Sequence, residues 1–121
     1  MEVNGSEWTI RKLLTETDCS NGRKYIILEK TIVDEHILPY WSVATVERSR
    51  IEDVKIMMED VDTNTQHQVN FRYYKESDSY SIQGLWRVNF VERRLLAAGD
   101  EIGIRYNPFS SNFSFSVLKR V

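Results

Sequence analysis

The chain has 121 residues, 41% of them hydrophobic, which suits one compact domain with a single core rather than two. A formal charge of −2 and a pI of about 5.7 exclude a uniformly basic binder, so an anionic partner would have to meet a local cluster of cations on a mildly acidic body. No run approaches the roughly 18 unbroken apolar residues of a membrane span, the start MEVNGSEWTI lacks the basic and apolar regions of a secretory signal, and the one cysteine, Cys19, permits no internal disulfide and suits a reducing compartment.

EWTIRKLLT (7–15) reads as a first strand, with Trp8, Ile10 and either Leu13 or Leu14 facing inward. A polar loop, ETDCSNGRK, separates it from the short apolar run YIILEK, a second strand. TIVDEHILPYW (31–41) changes period: Thr31 can cap a helix, Asp34 suits its first turn, Ile32, Val33, His36 and Ile37 share adjoining parts of one face, and Pro39 stops it. SVATVERSRIED (42–53) reads as a polar connector. VKIMMEDV then alternates, with Val54, Ile56 and Met58 on one face, and DTNT turns the chain. QHQVNFRYY (66–74) alternates most cleanly: His67, Val69, Phe71 and Tyr73 point one way, and Gln66, Gln68, Asn70 and Arg72 the other. KESD is a polar loop and SYSIQG a returning strand. LWRVNFVERRLL (85–96) reads as a second helix, with Trp86, Phe90 and Val91 on its stripe, Leu95 near its end, Arg93 and Arg94 favouring its C-terminal dipole, and Gly99 closing it. Two last strands follow, one burying Ile102, Ile104 and Tyr106, the other Phe113, Phe115 and Val117. Seven short strands and two short helices at this spacing predict a mainly β fold, a sandwich or a small barrel, and closure into a barrel would protect the sheet edges.

The residues offer little to catalysis. His36 and His67 lie on separate elements, a single cysteine cannot build a structural zinc cluster, and no Gly-rich phosphate loop, HExxH or nucleophile elbow is present. Glu59, Asp60 and Asp62 read as a solvated turn rather than an acid–base pair. The expectation is a protein that is not an enzyme, with no metal, no cofactor, no small-molecule substrate and no membrane partner.

Four stretches carry a resemblance. WTIRKLLTETD, IVDEHILP, FRYYKESDSYSIQGLWRVNFVERRLLAAGDEIGI and GDEIGIRYNPFSSNFSFSVLKR together resemble the plant B3 DNA-binding domain family, in its subgroup of short single-domain members. Gly84, Trp86, Phe90, Val91, Leu95, Gly99 and Asp100, in that order, form its most specific part. The resemblance implies a tail over 1–7 and a single domain over 8–121: a seven-stranded pseudobarrel with two short flanking α-helices. Two loops, 15–25 and 74–79, would serve as arms that grip the major groove of double-stranded DNA. It further implies a nuclear transcription factor, and the lack of heptads suggests a monomer. The alternative is a divergent domain that has lost affinity for DNA and acts as a protein-interaction module, which the acidic balance and the acidic second arm motivate.

A DNA reader needs cations on phosphates and other side chains on base edges. In the first arm the candidates are Asn21, Arg23, Lys24 and Tyr25, with Gly22 permitting close backbone approach. In the second they are Tyr74, Lys75, Ser77 and Ser79, flanked by Arg72. Glu76 and Asp78 stand at the tip of that arm, where carboxylates would repel phosphate unless one accepts from a cytosine amino group.

Overall fold

A computed structural model describes residues 8–20 and 25–121. Seven strands form one sheet: β1 (Ile10–Leu13), β2 (Ile26–Leu28), β3 (Val54–Asp60), β4 (Thr65–Tyr74), β5 (Ser79–Gly84), β6 (Glu101–Asn107) and β7 (Asn112–Lys119). Their spatial order is β1-β6-β7-β3-β4-β5-β2, so β1 and β2 are the two edges of a sheet that curls into a half-barrel. Neighbours are antiparallel except β3 and β7, which run parallel from Met58↔Phe113 to Asp60↔Phe115. That short parallel seam joins β1-β6-β7 to β3-β4-β5-β2.

The core follows the expected alternation. Ile10, Val54, Ile56, Met58, Val69, Phe71, Tyr80, Ile82, Ile102, Ile104, Phe113 and Phe115 line the inside, and Leu14, not the exposed Leu13, completes the first strand's contribution. Aromatic rings fill the centre. Phe71 stacks on Tyr80 at 5.1 Å, Trp86 on Phe90 at 5.2 Å, and Phe90 meets Phe115 edge-on at 4.7 Å. The ribbon formed by β6 and β7 thus supplies interior rings, not a surface stripe.

The helical segments depart from the sequence reading in three ways. Helix α1 (Lys30–His36) starts one residue before Thr31, with Glu29 at its N-cap and no side-chain cap bond, and Asp34 instead pairs with Lys30 at 2.6 Å. The stretch read as a connector contains a second helix, α2 (Val43–Ser49), capped where the Ser42 hydroxyl accepts from the Thr45 amide. A three-residue 3₁₀ turn, Leu38–Tyr40, carries Pro39 between them. The last helical segment, Arg87–Glu92, is a π-helix, whose hydrogen bonds reach back five residues instead of four. Beyond it a left-handed turn at Leu95 causes a slip in the core: the Leu95 amide donates to Glu92 at 3.2 Å and the Leu96 amide to Val91 at 2.8 Å, so Leu96 is buried and Leu95 faces solvent.

Asp60 corrects a further expectation. It is fully buried, not solvated, because it ends a strand whose inward residues are Val54, Ile56 and Met58. Arg93 and Arg94, expected to serve a helix dipole, instead hold it. Arg94 reaches both carboxylate oxygens at 2.7 and 2.6 Å, and Arg93 reaches one at 2.6 Å. Arg120, although exposed, donates from its guanidinium to the carbonyls of Arg94 and Leu95 just past the π-helix.

Candidate functional site

The site begins with strand parity. The registers Asn70↔Gln83, Arg72↔Ser81 and Tyr74↔Ser79 put these six residues on the outer face of β4 and β5, with Val69, Phe71 and Tyr73 turned to the opposite side. β2 lies beside β5, and Tyr25 immediately precedes it. On this face Arg72 sits over the Tyr74 ring at 5.6 Å, and Tyr74 meets Tyr25 with 6.0 Å between centroids. The Gln83 amide donates to the Tyr74 hydroxyl and, at 3.1 Å, to Ser81. Root of the first arm and stem of the second are therefore in contact through two aromatic rings.

Each arm is anchored by its own polar bonds. In the first, the Thr15 amide donates to the Asp18 carboxylate at 2.9 Å, and the Asp18 amide to the Thr15 hydroxyl at 3.2 Å. Asp18 is buried, with Lys12 at 3.7 Å, and the Trp86 indole N–H approaches its carbonyl at 3.5 Å. The start of the arm is thus fixed to the core. Cys19 packs against the same core, and burial, then the charges of Asp18 and Asp100, push its thiol pKa up, which makes it a poor nucleophile. In the second arm Asp78 turns with a positive φ of 49° and accepts from the Tyr73 hydroxyl at 2.6 Å. That hydrogen bond, more than burial, raises the Tyr73 pKa. One of the two troublesome carboxylates is therefore part of the turn's own framework, whereas Glu76 stays exposed at the tip.

The sequence-predicted residues divide accordingly. Tyr25, Arg72 and Tyr74 come together as one cluster. Lys75 and Ser77 are exposed on the turn just beyond it. Ser79 shares that face by register but is buried, and its hydroxyl lies 2.6 Å from that of Ser77. Asn21, Arg23 and Lys24 lie outside the described residues. Arg72 is also 3.5 Å from Asp53, so its cation is partly balanced. Gln83 was missed, although its parity with Arg72 and Tyr74 across the β4–β5 hairpin is legible in NFRYYKESDSYSIQG.

The family described as "B3 domain-containing protein At5g26805, C-terminal domain" matches residues 8–118. The Arabidopsis thaliana protein At1g78640 is 36% identical over 110 residues, covering 88% of this chain and 22% of that protein. B3 domain-containing protein At4g02870, also from Arabidopsis thaliana, is 30% identical over 114 residues, covering 94% of this chain and 36% of that protein. The chain therefore spans only about a fifth to a third of the length of these two relatives. Among solved structures, the "Arabidopsis FUS3-DNA complex" has the same fold, with a TM-score of 0.70, 22% identity, and coverage of 93% of this chain and 98% of that one.

Proposed function

Since the chain belongs to the B3 domain family, we propose that it binds double-stranded DNA sequence-specifically, without catalysis, as a plant transcription factor working in the nucleus. Residues 8–121 form the binding domain, and the two arms, 15–25 and 74–79, enter the major groove. Arg23, Lys24 and Lys75 neutralise phosphates. Asn21, Ser77 and Arg72 reach phosphate or base edges, with Arg72 suited to the acceptors of guanine. Tyr25 and Tyr74 hold the arms in register. The observation that supports this reading is the Arg72–Tyr74–Tyr25 cluster, in which Tyr25, the last residue of the first arm, meets the stem of the second on the outer face of β4 and β5. A relative of the same fold has been solved with DNA, which supports the choice of partner.

A salt series on a random duplex pool tests the proposal. Affinity should fall as salt rises, with a log–log slope near −0.9 for each phosphate contact. Replacing Arg23 and Lys24 together by alanine should make the slope shallower by about 2 if both sit on phosphate. A slope unchanged by that replacement would overturn the arm assignment. No binding above background at low salt would overturn the DNA reading in favour of a protein-interaction module, the reading that the exposed Glu76 favours.

A further inference from the structure

The outer face that carries Arg72 and Tyr74 does not end at β4. Val54 and Ile56 are buried, so Lys55 between them points outward, and its register partner Asn70 leads on to Gln83. Lys55, Asn70 and Gln83 thus form one row across β3, β4 and β5, next to the row that holds Arg72. From β2 to β3 the face spans three strand spacings of about 4.8 Å, roughly 14 Å in all, close to the roughly 12 Å width of a B-form major groove. A groove centred on the β4–β5 hairpin therefore has one of its bordering strands over β3.

The three members of the row differ in what they already hold. Gln83 commits its amide to Tyr74 and Ser81. Asn70 is half-buried, and its side chain makes no hydrogen bond among the described residues; Lys55 is exposed and forms no ion pair among them. The acids nearest to Lys55 in sequence face other cations: Glu52 lies 3.8 Å from Arg48, and Asp53 lies 3.5 Å from Arg72. An open amide, with donor and acceptor side by side, matches the N7 and N6 edge of adenine, and an open ammonium beside it matches a phosphate. Further along β3 the face changes character. Met57 comes next and then Glu59, whose carboxylate would repel phosphate, so the row at Lys55 bounds the footprint.

We propose, resting on the DNA reading above, that the duplex-binding face extends beyond the two arms onto β3 and β4. Lys55 holds a phosphate of the strand that borders the groove, and Asn70 reads an adenine edge within it. Gln83 is a positioning residue, which keeps the Tyr74 hydroxyl in place beside them. Sequence choice then has a contributor on the rigid sheet as well as on the arms.

The test combines fluorescence anisotropy of the full chain on a labelled random duplex pool, over a salt series, with sequencing of the duplexes it retains. Lys55→Ala should make the log–log salt slope shallower by about 0.9 and weaken binding to all sequences alike, and Lys55→Arg should restore the slope. Asn70→Ala should keep the slope and lose about tenfold of the preference for adenine at one position of the retained duplexes. Asn70→Asp should exchange that preference for cytosine, whose amino group donates to a carboxylate, a switch that a merely structural role would not produce. Lys119→Ala, which removes an exposed cation beside Glu101 at the end of β7, should change neither readout. Unchanged melting temperatures identify the folded variants. If the wild type binds but Lys55→Ala keeps its slope, or Lys119→Ala flattens the slope as much, the extension onto β3 is overturned while the arms stand. Retained sequences that are the same for the wild type and both Asn70 variants would overturn it too. A wild type that binds no duplex at low salt would overturn the DNA reading itself, and this proposal with it.

Discussion

Leu95 follows the π-helix with a φ of 54° and 80% of its surface exposed. A β-carbon in the left-handed region costs roughly 1–2 kcal/mol, and glycine is the usual residue at this place after a helix. Leu95→Gly should therefore raise stability by about 1 kcal/mol, less whatever the unfolded chain gains in freedom. A urea titration reads this as a higher midpoint at unchanged slope. A lower midpoint would mean that the leucine side chain makes a contact its exposure conceals. The same residue marks where sequence reading slipped. An α-helical count from Val91 lands on Leu95, whereas the left-handed turn at Leu95 closes the helix end and brings Leu96 inward instead, and nothing in LWRVNFVERRLL announces that turn. Asp60 was misread for a different reason: its chemistry suggested a turn, but its strand parity with Val54, Ile56 and Met58 already placed it inside.

Between elements, Asp60 ties the end of β3 to the residues that follow the π-helix. Asp62 extends the tie to β7, accepting from the Ser116 hydroxyl at 2.8 Å and the Val117 amide at 2.9 Å while Arg94 reaches it at 3.1 Å. Arg93 also donates to Thr63 in the β3–β4 turn at 3.1 Å. Burial alone would raise the Asp60 pKa, but the hydrogen bonds and charges of Arg94 and Arg93 outweigh it and hold it below its ordinary value. Asp60→Asn would leave two guanidinium groups facing a neutral amide, one of them only 12% exposed. The expected loss is about 3 kcal/mol, the low end for a broken buried pair because Arg93 is partly solvated. Chemical denaturation checks it, and a loss under about 1 kcal/mol would class the network with surface pairs. Helix α2 shows why some elements stay silent in sequence. Its one buried residue is Ser49, so no apolar stripe exists to be read, and only the Ser42–Thr45 cap gave a signal.

For the molecule as a whole, acid should act in two steps. Burial, then the charge of Arg93, lower the His67 pKa beneath its ordinary 6.5, with Asp60 opposing. A histidine kept neutral by folding contributes stability that is complete above its unfolded pKa and is lost as pH falls through the lower folded value. Asp60, depressed from 3.8, behaves likewise: its contribution is complete above that value and disappears as pH falls further through the folded value. Stability should thus decline first below about pH 6.5 and again below about pH 4. Thermal melts across this range should find the first decline removed in His67→Gln; a first decline that survives the substitution would assign it to another group. Most of this architecture was open to inspection in the sequence, because period-two alternation fixed the core faces of β3, β4, β6 and β7. The candidate site was legible to the extent that it obeys the same period: Arg72 and Tyr74 share a face by parity, and Tyr25 joins them only through the pairing of β2 with β5, a long-range contact that no local pattern encodes.

The position of β7 between β6 and β3 has a consequence for how the protein is made. Every earlier strand pair can form as the ribosome delivers it, but the two halves of the sheet have no common seam until residues 112–119 arrive. Up to that moment a nascent chain exposes the flanks of both β3 and β6, and its aromatic interior lacks Phe113 and Phe115. The sheet therefore cannot close until β7 itself has been delivered.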